Sequence, residues 1–409
     1  MILKINEKEF LESAFEVVER KGLGHPDTLS DHLAEKISSE YSKYTLEKYG
    51  AVLHHNFDKV GLLGGSSYVV FGDGYLTSPI RVLINGRASV SFGGEKIPLR
   101  RLITKWVKDF FSKSLPIIDI EDDIDITFNL SSKSSPGKTY EKEAKKGTRL
   151  FWFEPRSLED LAELKKLTSN DTSLGVGFSP RTKLETIVYT IEQTLNSPEY
   201  KKKYPWLGTD IKILAYRTGD DFEITMCVPQ ISSFVQDIDN YKKNLAFVRE
   251  KVLDLVSENG ISLNKFKLSM NTRDNYDLCE LYLTATGSSI ESGDEGLVGR
   301  GNRINGLITP TRPMSMEGAA GKNPVYHIGK IYYVFAQKVS EKIYSKFHIQ
   351  NEVFLCSQSG RDLLDPWISI VNVPSGFKEH TELVRFFEHE IKNISKVTED
   401  IINNKFIIA

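Results

Sequence analysis

The chain has 409 residues, 40% of them hydrophobic, and sets 53 Lys and Arg against 55 Asp and Glu for a formal net charge of −2. That length is more than one core usually serves and predicts two or three packed units. The near balance of charge excludes a general nucleic-acid or membrane-surface binder, though not a local basic pocket. Cys227, Cys279 and Cys356 are far apart, which argues against a disulfide framework or a zinc site and fits a reducing compartment. The first 22 residues are charged throughout and no window approaches 18 uncharged apolar residues. A soluble, cytoplasmic protein is the expectation.

In chain order, residues 8–20 suggest an amphipathic segment with Phe10, Ala14, Phe15 and Val18 on one side. Gly22-Leu23-Gly24 then turns into His25-Pro26-Asp27. Pro26 has the fixed φ suited to a first helical turn, and Asp27 suits the positive end of the helix dipole. Leu33, Ile37, Tyr41 and Tyr44 recur at helical spacing. His25 and Asp27 are thus displayed where an anion or a hydrated cation would sit. A plain helix cap is the other reading, and the residues alone leave both open.

Strands are predicted around Gly64-Gly65-Ser66-Ser67, and Asn85-Gly86 between two apolar runs predicts a hairpin over 80–91. His54 and His55 are adjacent in an extended stretch, so they point to opposite faces and read as structural. A helix is expected over 97–113, a strand over 124–130 and a polar connector over 131–147. Asp171 stands at the entrance to the glycine-rich strand 174–178, as a ligand edge or as an Asx-type turn. A helix follows over 182–196. Asp210 and Lys212 are two apart and share one face of a strand, either as an ion pair or with the lysine aimed at a phosphate. Strand 222–228, helix 240–258, strands 264–270 and 279–286, helix 326–344, strands near 352–357 and 367–373 and helix 379–395 complete the pattern. Hairpins among mixed strands and helices predict an α+β fold, sheets covered by helices rather than a doubly wound parallel sheet. The fingerprints G-x-G-x-x-G after a strand and G-x-x-x-x-G-K-[ST] are absent.

Residues 292–330 stand apart. They hold eight glycines, three prolines and the cations Arg300, Arg303, Arg312, Lys322 and Lys330, with no clean period of 3.6 or 2. A structureless run this long within a compact domain is unusual unless it binds something. Glycines let backbone amides approach an anion, and the cations supply charge, so the stretch reads as a polyphosphate-binding loop.

Taken together, GHPD before a helix, HHNFDKVGLLGG, NDTSLGVGFSP, the D-x-K of DIK, GDEGLVGRGNRINGLITPTRPMSMEGAAGKNP and LCSQSGRDLLDP resemble the S-adenosylmethionine synthetase family, in its archaeal-type branch. The matches run in order from about residue 19 to 366. The resemblance implies an enzyme that makes S-adenosylmethionine from ATP and methionine and then hydrolyses the tripolyphosphate to phosphate and pyrophosphate. It implies Mg2+, usually K+, and three similar α/β units interwoven in sequence, approximately 1–20 with 150–290, 21–130 with 291–324, and 325–409. It also implies at least a homodimer, with active sites at the subunit interface and the Gly64 region near the twofold. Pairing of dimers into tetramers is left open.

A thioether nucleophile has no proton to remove, so no general base or Ser-His-Asp triad is expected. The barrier falls through in-line placement and stabilisation of the leaving polyphosphate. By its matching motif, His25 is similar to the family's phosphate-contacting histidine and Asp27 to its Mg2+ ligand. Lys212 resembles the lysine that reaches the phosphates, with Asp210 beside it, and Arg300 and Lys322 resemble the cations on the tripolyphosphate. Arg303 and Lys330 are further candidates for that role. Asp171 resembles the carboxylate facing the adenosyl and sulfonium region, and Asp294 the one facing the methionine ammonium. Asp58 and Ser66 join the ATP- and methionine-binding set. Lys212, Arg300 and Lys322 are expected to share a cavity beside His25 and Asp27.

The family has Gln or Glu after Gly64-Gly65, where this chain has Ser66-Ser67. SSKSSPGK replaces a glycine-rich loop near residue 135. Two other readings therefore stand beside the first: an ATP-dependent enzyme of the same fold with a different nucleophile, and a non-catalytic partner subunit.

Overall fold

The computed structural model describes residues 3–10, 13–132, 151–403 and 405. Its α-helices are α1 (Pro26–Tyr49), α2 (Leu99–Ser114), α3 (Lys183–Leu195), α4 (Pro198–Lys203), α5 (Ile238–Glu258), α6 (Ile328–Phe347), α7 (His380–Lys392) and α8 (Ser395–Ile402). Local chemistry sets their ends. The α1 helix begins with His25 as N-cap and Pro26 in its first turn, and it stops at Gly50, which turns left-handed (φ 76). Thr182 and Glu185 form a capping box on α3.

Three mixed sheets repeat one pairing pattern. The first, in order, has strands Ile124–Ser131, Ile80–Ala88, Gly61–Leu63 and Glu295–Leu297. The second has Phe266–Met270, Asp221–Cys227, Lys212–Thr218 and Phe15–Lys21. The third has Leu3–Lys8, Ile368–Pro374, Asn351–Cys356 and Leu174–Ser179. In each, the first pair is parallel and the next two are antiparallel. Two helices cover each sheet and make its core. Leu33, Ile37 and Phe111 pack on Val82 and Ile84 in the first. Ile187, Ile191 and Val252 pack on Ile213 and Ile224 in the second. Phe335, Val339 and Phe387 pack on Val353 and Val371 in the third. The fold is α+β with three similar interwoven α/β units.

The interweaving has a rule. Phe15–Lys21 precedes α1, yet pairs in the second sheet. Leu174–Ser179 precedes α3, yet pairs in the third. Glu295–Leu297 precedes α6, yet pairs in the first. Each unit lends the strand before its first helix to another unit, and the three loans close a ring. Leu3–Lys8 also lies in the third sheet, beside the C-terminal strands.

Several sequence expectations need correction. Residues 15–21 are a strand, so residues 8–20 are not one amphipathic segment. The strand's buried face carries Glu16, Val18 and Arg20, and those charges hid the period of two. They are tolerated because Arg20 Nε meets Glu192 at 2.6 Å and Arg217 Nε meets Glu16 at 3.3 Å. Asn85-Gly86 makes no hairpin, since one strand runs through Ile80–Ala88. Gly86 is needed because a Cβ there would stand 2.2 Å from the Asn56 carbonyl, on the short strand His55–Asn56 that pairs alongside. The strand predicted over 279–286 shrinks to Leu283–Thr284, downstream of Cys279 with its positive φ of 53°. The connector 131–147 lies almost entirely outside the described residues. Among the described residues no helix is long and apolar enough to cross a membrane.

Candidate active site

The first cluster forms where the chain passes from the lent strand Phe15–Lys21 into α1. Gly22 and Gly24 lie tight against the segment before Lys212. A Cβ on Gly22 would come within 2.5 Å of the Ile211 carbonyl, and one on Gly24 within 2.2 Å of Thr209 Oγ1. The Gly24 amide donates to the Thr209 carbonyl at 3.0 Å. This contact brings His25, on one segment, beside Asp210 and Lys212, on the other.

His25 Nδ1 accepts the Asp27 amide at 3.2 Å, so the neutral ring carries its proton on Nε2. Burial lowers the imidazole pKa and outweighs the upward pull of Asp210; Lys21 and Lys212 lower it further. Asp27 is buried. Its Oδ1 accepts the Leu297 amide at 3.0 Å, and its Oδ2 meets Lys21 Nζ at 2.8 Å. Burial pushes this carboxyl up, but the Lys21 hydrogen bond and the Leu297 amide together hold it below the ordinary value.

Asp210 lies before the strand Lys212–Thr218, not on it. It is buried and accepts the Ser289 amide at 3.0 Å, the Ser289 hydroxyl at 2.6 Å and the Tyr282 hydroxyl at 3.2 Å. Lys212 projects from the open face of the sheet, 3.3 Å from Glu19. Asp294 is exposed and accepts the same Ser289 hydroxyl at 3.1 Å. Arg300 follows on the loop beside α1 and is exposed, and its carbonyl accepts Lys21 Nζ at 2.7 Å. So His25, Asp27, Asp210, Lys212, Asp294 and Arg300 gather around the N-terminus of α1.

Lys322 does not join them. It lines a separate cavity of about 870 Å³ together with Asp58, Lys59, Asp171, Glu317 and Arg87. Its backbone carbonyl accepts Ser38 Oγ of α1 at 3.0 Å. Ser38 is eleven residues beyond Asp27, so the two clusters stand roughly 16 Å apart along the helix. The expectation that Lys322 shares a cavity with His25 and Asp27 is therefore corrected. The reason is that residues 301–322 run down the flank of α1 and carry Lys322 to its middle. Here Lys322 Nζ contacts the Glu317 carboxylate, donates to the Gly318 carbonyl at 2.5 Å and lies 3.9 Å from Asp58 Oδ2. Burial brings its pKa down to about 8, against the upward pull of Asp58. His54 and His55 hold structural contacts in the same wall. His54 stacks on Trp152, and the buried His55 bonds Ser38 at 2.8 Å and stays neutral, its pKa driven by burial to about 3.

Three further candidates lie elsewhere. Lys330 is fully buried and paired with Glu35 at 2.7 Å. Arg303 donates to the Gly299 and Gly301 carbonyls at 2.6 and 2.7 Å and so braces the loop from within. Ser66 is exposed on the hairpin that joins it to Ser78, at 2.7 Å between hydroxyls.

Lys21, Asp31 and Glu317 also take part, with no sequence motif that marks them. Asp31 Oδ1 accepts the Gly299 amide at 2.8 Å, and burial raises its pKa to about 7. Asp27, Asp31 and Glu35 recur every four residues on α1 and accept the amides of Leu297, Gly299 and Gly321. That spacing was legible as one helix face; its partner in the loop was not.

Comparisons with known proteins identify the family. The family described as S-adenosylmethionine synthetase (AdoMet synthetase) matches residues 1–149 and 154–405. The S-adenosylmethionine synthase of Hyperthermus butylicus is 39% identical over 97% of this chain and 96% of its own length. That of Saccharolobus solfataricus is 38% identical over 95% and 94%, and a probable S-adenosylmethionine synthase of Aquifex aeolicus is 37% identical over 96% and 95%. Among solved structures, an unusual S-adenosylmethionine synthetase from Campylobacter jejuni superposes with a TM-score of 0.59 at 14% identity, covering 95% of this chain and 93% of that one. At that identity the likeness speaks for the fold alone. On full-length sequence match, shared architecture and the charged clusters beside α1, the chain belongs to the S-adenosylmethionine synthetase family.

Proposed function

We propose that the chain is an ATP:L-methionine S-adenosyltransferase, a transferase that moves the adenosyl group of ATP to the methionine sulfur and then cleaves the released tripolyphosphate to phosphate and pyrophosphate. The observation that carries this reading is the gathering of a neutral His25, Asp27, Lys212 and Arg300 at the N-terminus of α1 in a chain alike over its whole length to named S-adenosylmethionine synthases. The helix dipole, His25 Nε2–H and two cations favour a polyanion there. Asp210 and Asp294, joined through Ser289, favour the ammonium or sulfonium end.

Among the described residues no three His, Cys, Asp or Glu groups form a metal cage. Asp27 still fits a magnesium site of the kind that takes one or two carboxylates and completes its shell with phosphates and water. The Lys21 ammonium on Asp27 Oδ2 indicates that this oxygen attracts a cation. Bound there, the ion would neutralise charge on the departing polyphosphate. The family's K+ rests on the resemblance alone.

Lys322, Asp58 and Asp171 then belong to the opposite half of an active site completed by a second copy of the chain, so that each protomer gives one half to each of two sites. The enzyme is at least a homodimer on this reading, and light scattering that found an active monomer would sink it. Mass spectrometry of the products from ATP, Mg2+ and methionine, with other thioethers in parallel, tests the activity. S-adenosylmethionine with phosphate and pyrophosphate is expected. Tripolyphosphate cleavage without a sulfonium product would favour a different nucleophile, the change that Ser66-Ser67 suggests.

A further inference from the structure

Lys21 has an unusual attachment. Its backbone is locked on both sides by one asparagine: the Lys21 amide donates to Asn302 Oδ1 at 3.0 Å, and Asn302 Nδ2 donates to the Lys21 carbonyl at 2.8 Å. Thr28 Oγ1 adds a second bond to that carbonyl at 3.2 Å. Its side-chain ammonium, by contrast, rests on two oxygens, Asp27 Oδ2 at 2.8 Å and the Arg300 carbonyl at 2.7 Å. A carboxylate oxygen and a backbone carbonyl, one from α1 and one from the loop, are the donors a hard cation takes. The lysine side chain is 11% exposed, and Asp27 accepts the Leu297 amide through its other oxygen, Oδ1.

We propose that the Lys21 ammonium holds the place of a divalent cation on Asp27 in the substrate-free enzyme, competes with that cation for Oδ2, and on displacement turns to the polyphosphate as a further positive group. This rests on the reading of Asp27 as a metal ligand. The root of the side chain stays fixed by Asn302 when the head group leaves, so the loop carrying Arg300 keeps its position against α1. The exchange leaves Asp27 neutralised at every stage. It also delivers an additional cation to the phosphates only when metal is present. His25 lies within electrostatic reach of Lys21, so the displaced ammonium remains within the same cluster.

Mn2+ binding to the nucleotide-free protein, followed by the loss of the free-ion electron paramagnetic resonance signal, tests the exchange without recourse to activity. Lys21→Met is expected to bind Mn2+ about tenfold tighter than wild type or better, since a competing charge has been removed, and Mn2+ should raise its melting temperature by more. Lys21→Arg should stay near wild type. With Mg2+ present, tripolyphosphate should bind Lys21→Met about tenfold more weakly than wild type. Unchanged or weaker Mn2+ binding in Lys21→Met, alongside loss of binding in Asp27→Asn, overturns the inference while leaving Asp27 as the ligand. Wild-type Mn2+ binding in Asp27→Asn overturns both. If Lys21→Met does not fold by circular dichroism, Lys21→Gln carries the same measurements, with the same outcomes deciding.

Discussion

The two charged regions beside α1 hold their cations in opposite ways. At the His25 end, Lys212 and Arg300 stand at the surface, and Lys21 meets Asp27 in a buried cation–carboxylate contact. At the middle of α1, Lys322 and Lys330 are taken out of water, and burial lowers both their pKa values. The surface cations stay in contact with water and can follow a ligand. The buried ones are stiff, and they depend on nearby carboxylates to remain charged at all. The difference teaches that the first region suits capture and the second suits placement, and that neither is complete alone.

Substitutions of the cavity lysine should break that contrast most sharply. Lys322→Met is expected to lower kcat about 10²–10³-fold, the scale for losing one preorganised donor on developing charge, with a nearly unchanged melting temperature. Arg300→Leu should behave alike at the other region. Unaltered turnover with a large loss of stability would assign both to loop packing. Lys330→Met should do the reverse. It strands Glu35 in the interior and should cost about 3–5 kcal/mol of stability by chemical denaturation, while the folded fraction keeps its kcat. A loss of kcat without a loss of stability would return Lys330 to the phosphate set.

A smaller effect tests the division between copies. Lys212→Met and Lys322→Met subunits, each inactive, are mixed by joint refolding. Half the dimers are then hybrids with one intact site, so about a quarter of wild-type activity should reappear. No recovery would mean that each chain builds its own site. The smallest effect is on pH. Lys322 titrates near 8 in the folded chain, below its unfolded value, so it loses charge on the alkaline side. In the free enzyme kcat/KM should fall above pH about 8. The profile of kcat should hold to higher pH, because bound phosphates favour the ammonium. Parallel falls in both would point to another group. As for stability, this group's penalty is full below about 8 and fades as pH rises toward its unfolded value.

Most of the helices and the long central loop were legible, because apolar spacing and glycine content report local geometry directly. The lent strand Phe15–Lys21 was not. Its inward charges find partners on Glu192 and Arg217, 172 and 201 residues away, and no local pattern encodes that. The same limit applied at the site. GHPD and the loop motif named most of the residues, but the sequence gives no distance along α1. Lys322 therefore read as a neighbour of Arg300, when residues 301–321 carry it to a different cavity. Lys21 was hidden for a related reason: the amphipathic segment expected over 8–20 stops short of it, so the face it shares with the N-terminus of α1 was not considered.

The ring of exchanged strands constrains how the protein is made. Leu3–Lys8 is translated long before the strand it pairs with, Ile368–Pro374. The sheet that holds α1 and α2 likewise lacks its edge until Glu295–Leu297 appears. For most of synthesis the nascent chain must carry unpaired strand edges, the surfaces that invite association with other chains. Neither a fragment ending before residue 290 nor one starting after residue 10 can complete all three sheets, so partial products have no finished form in which to persist.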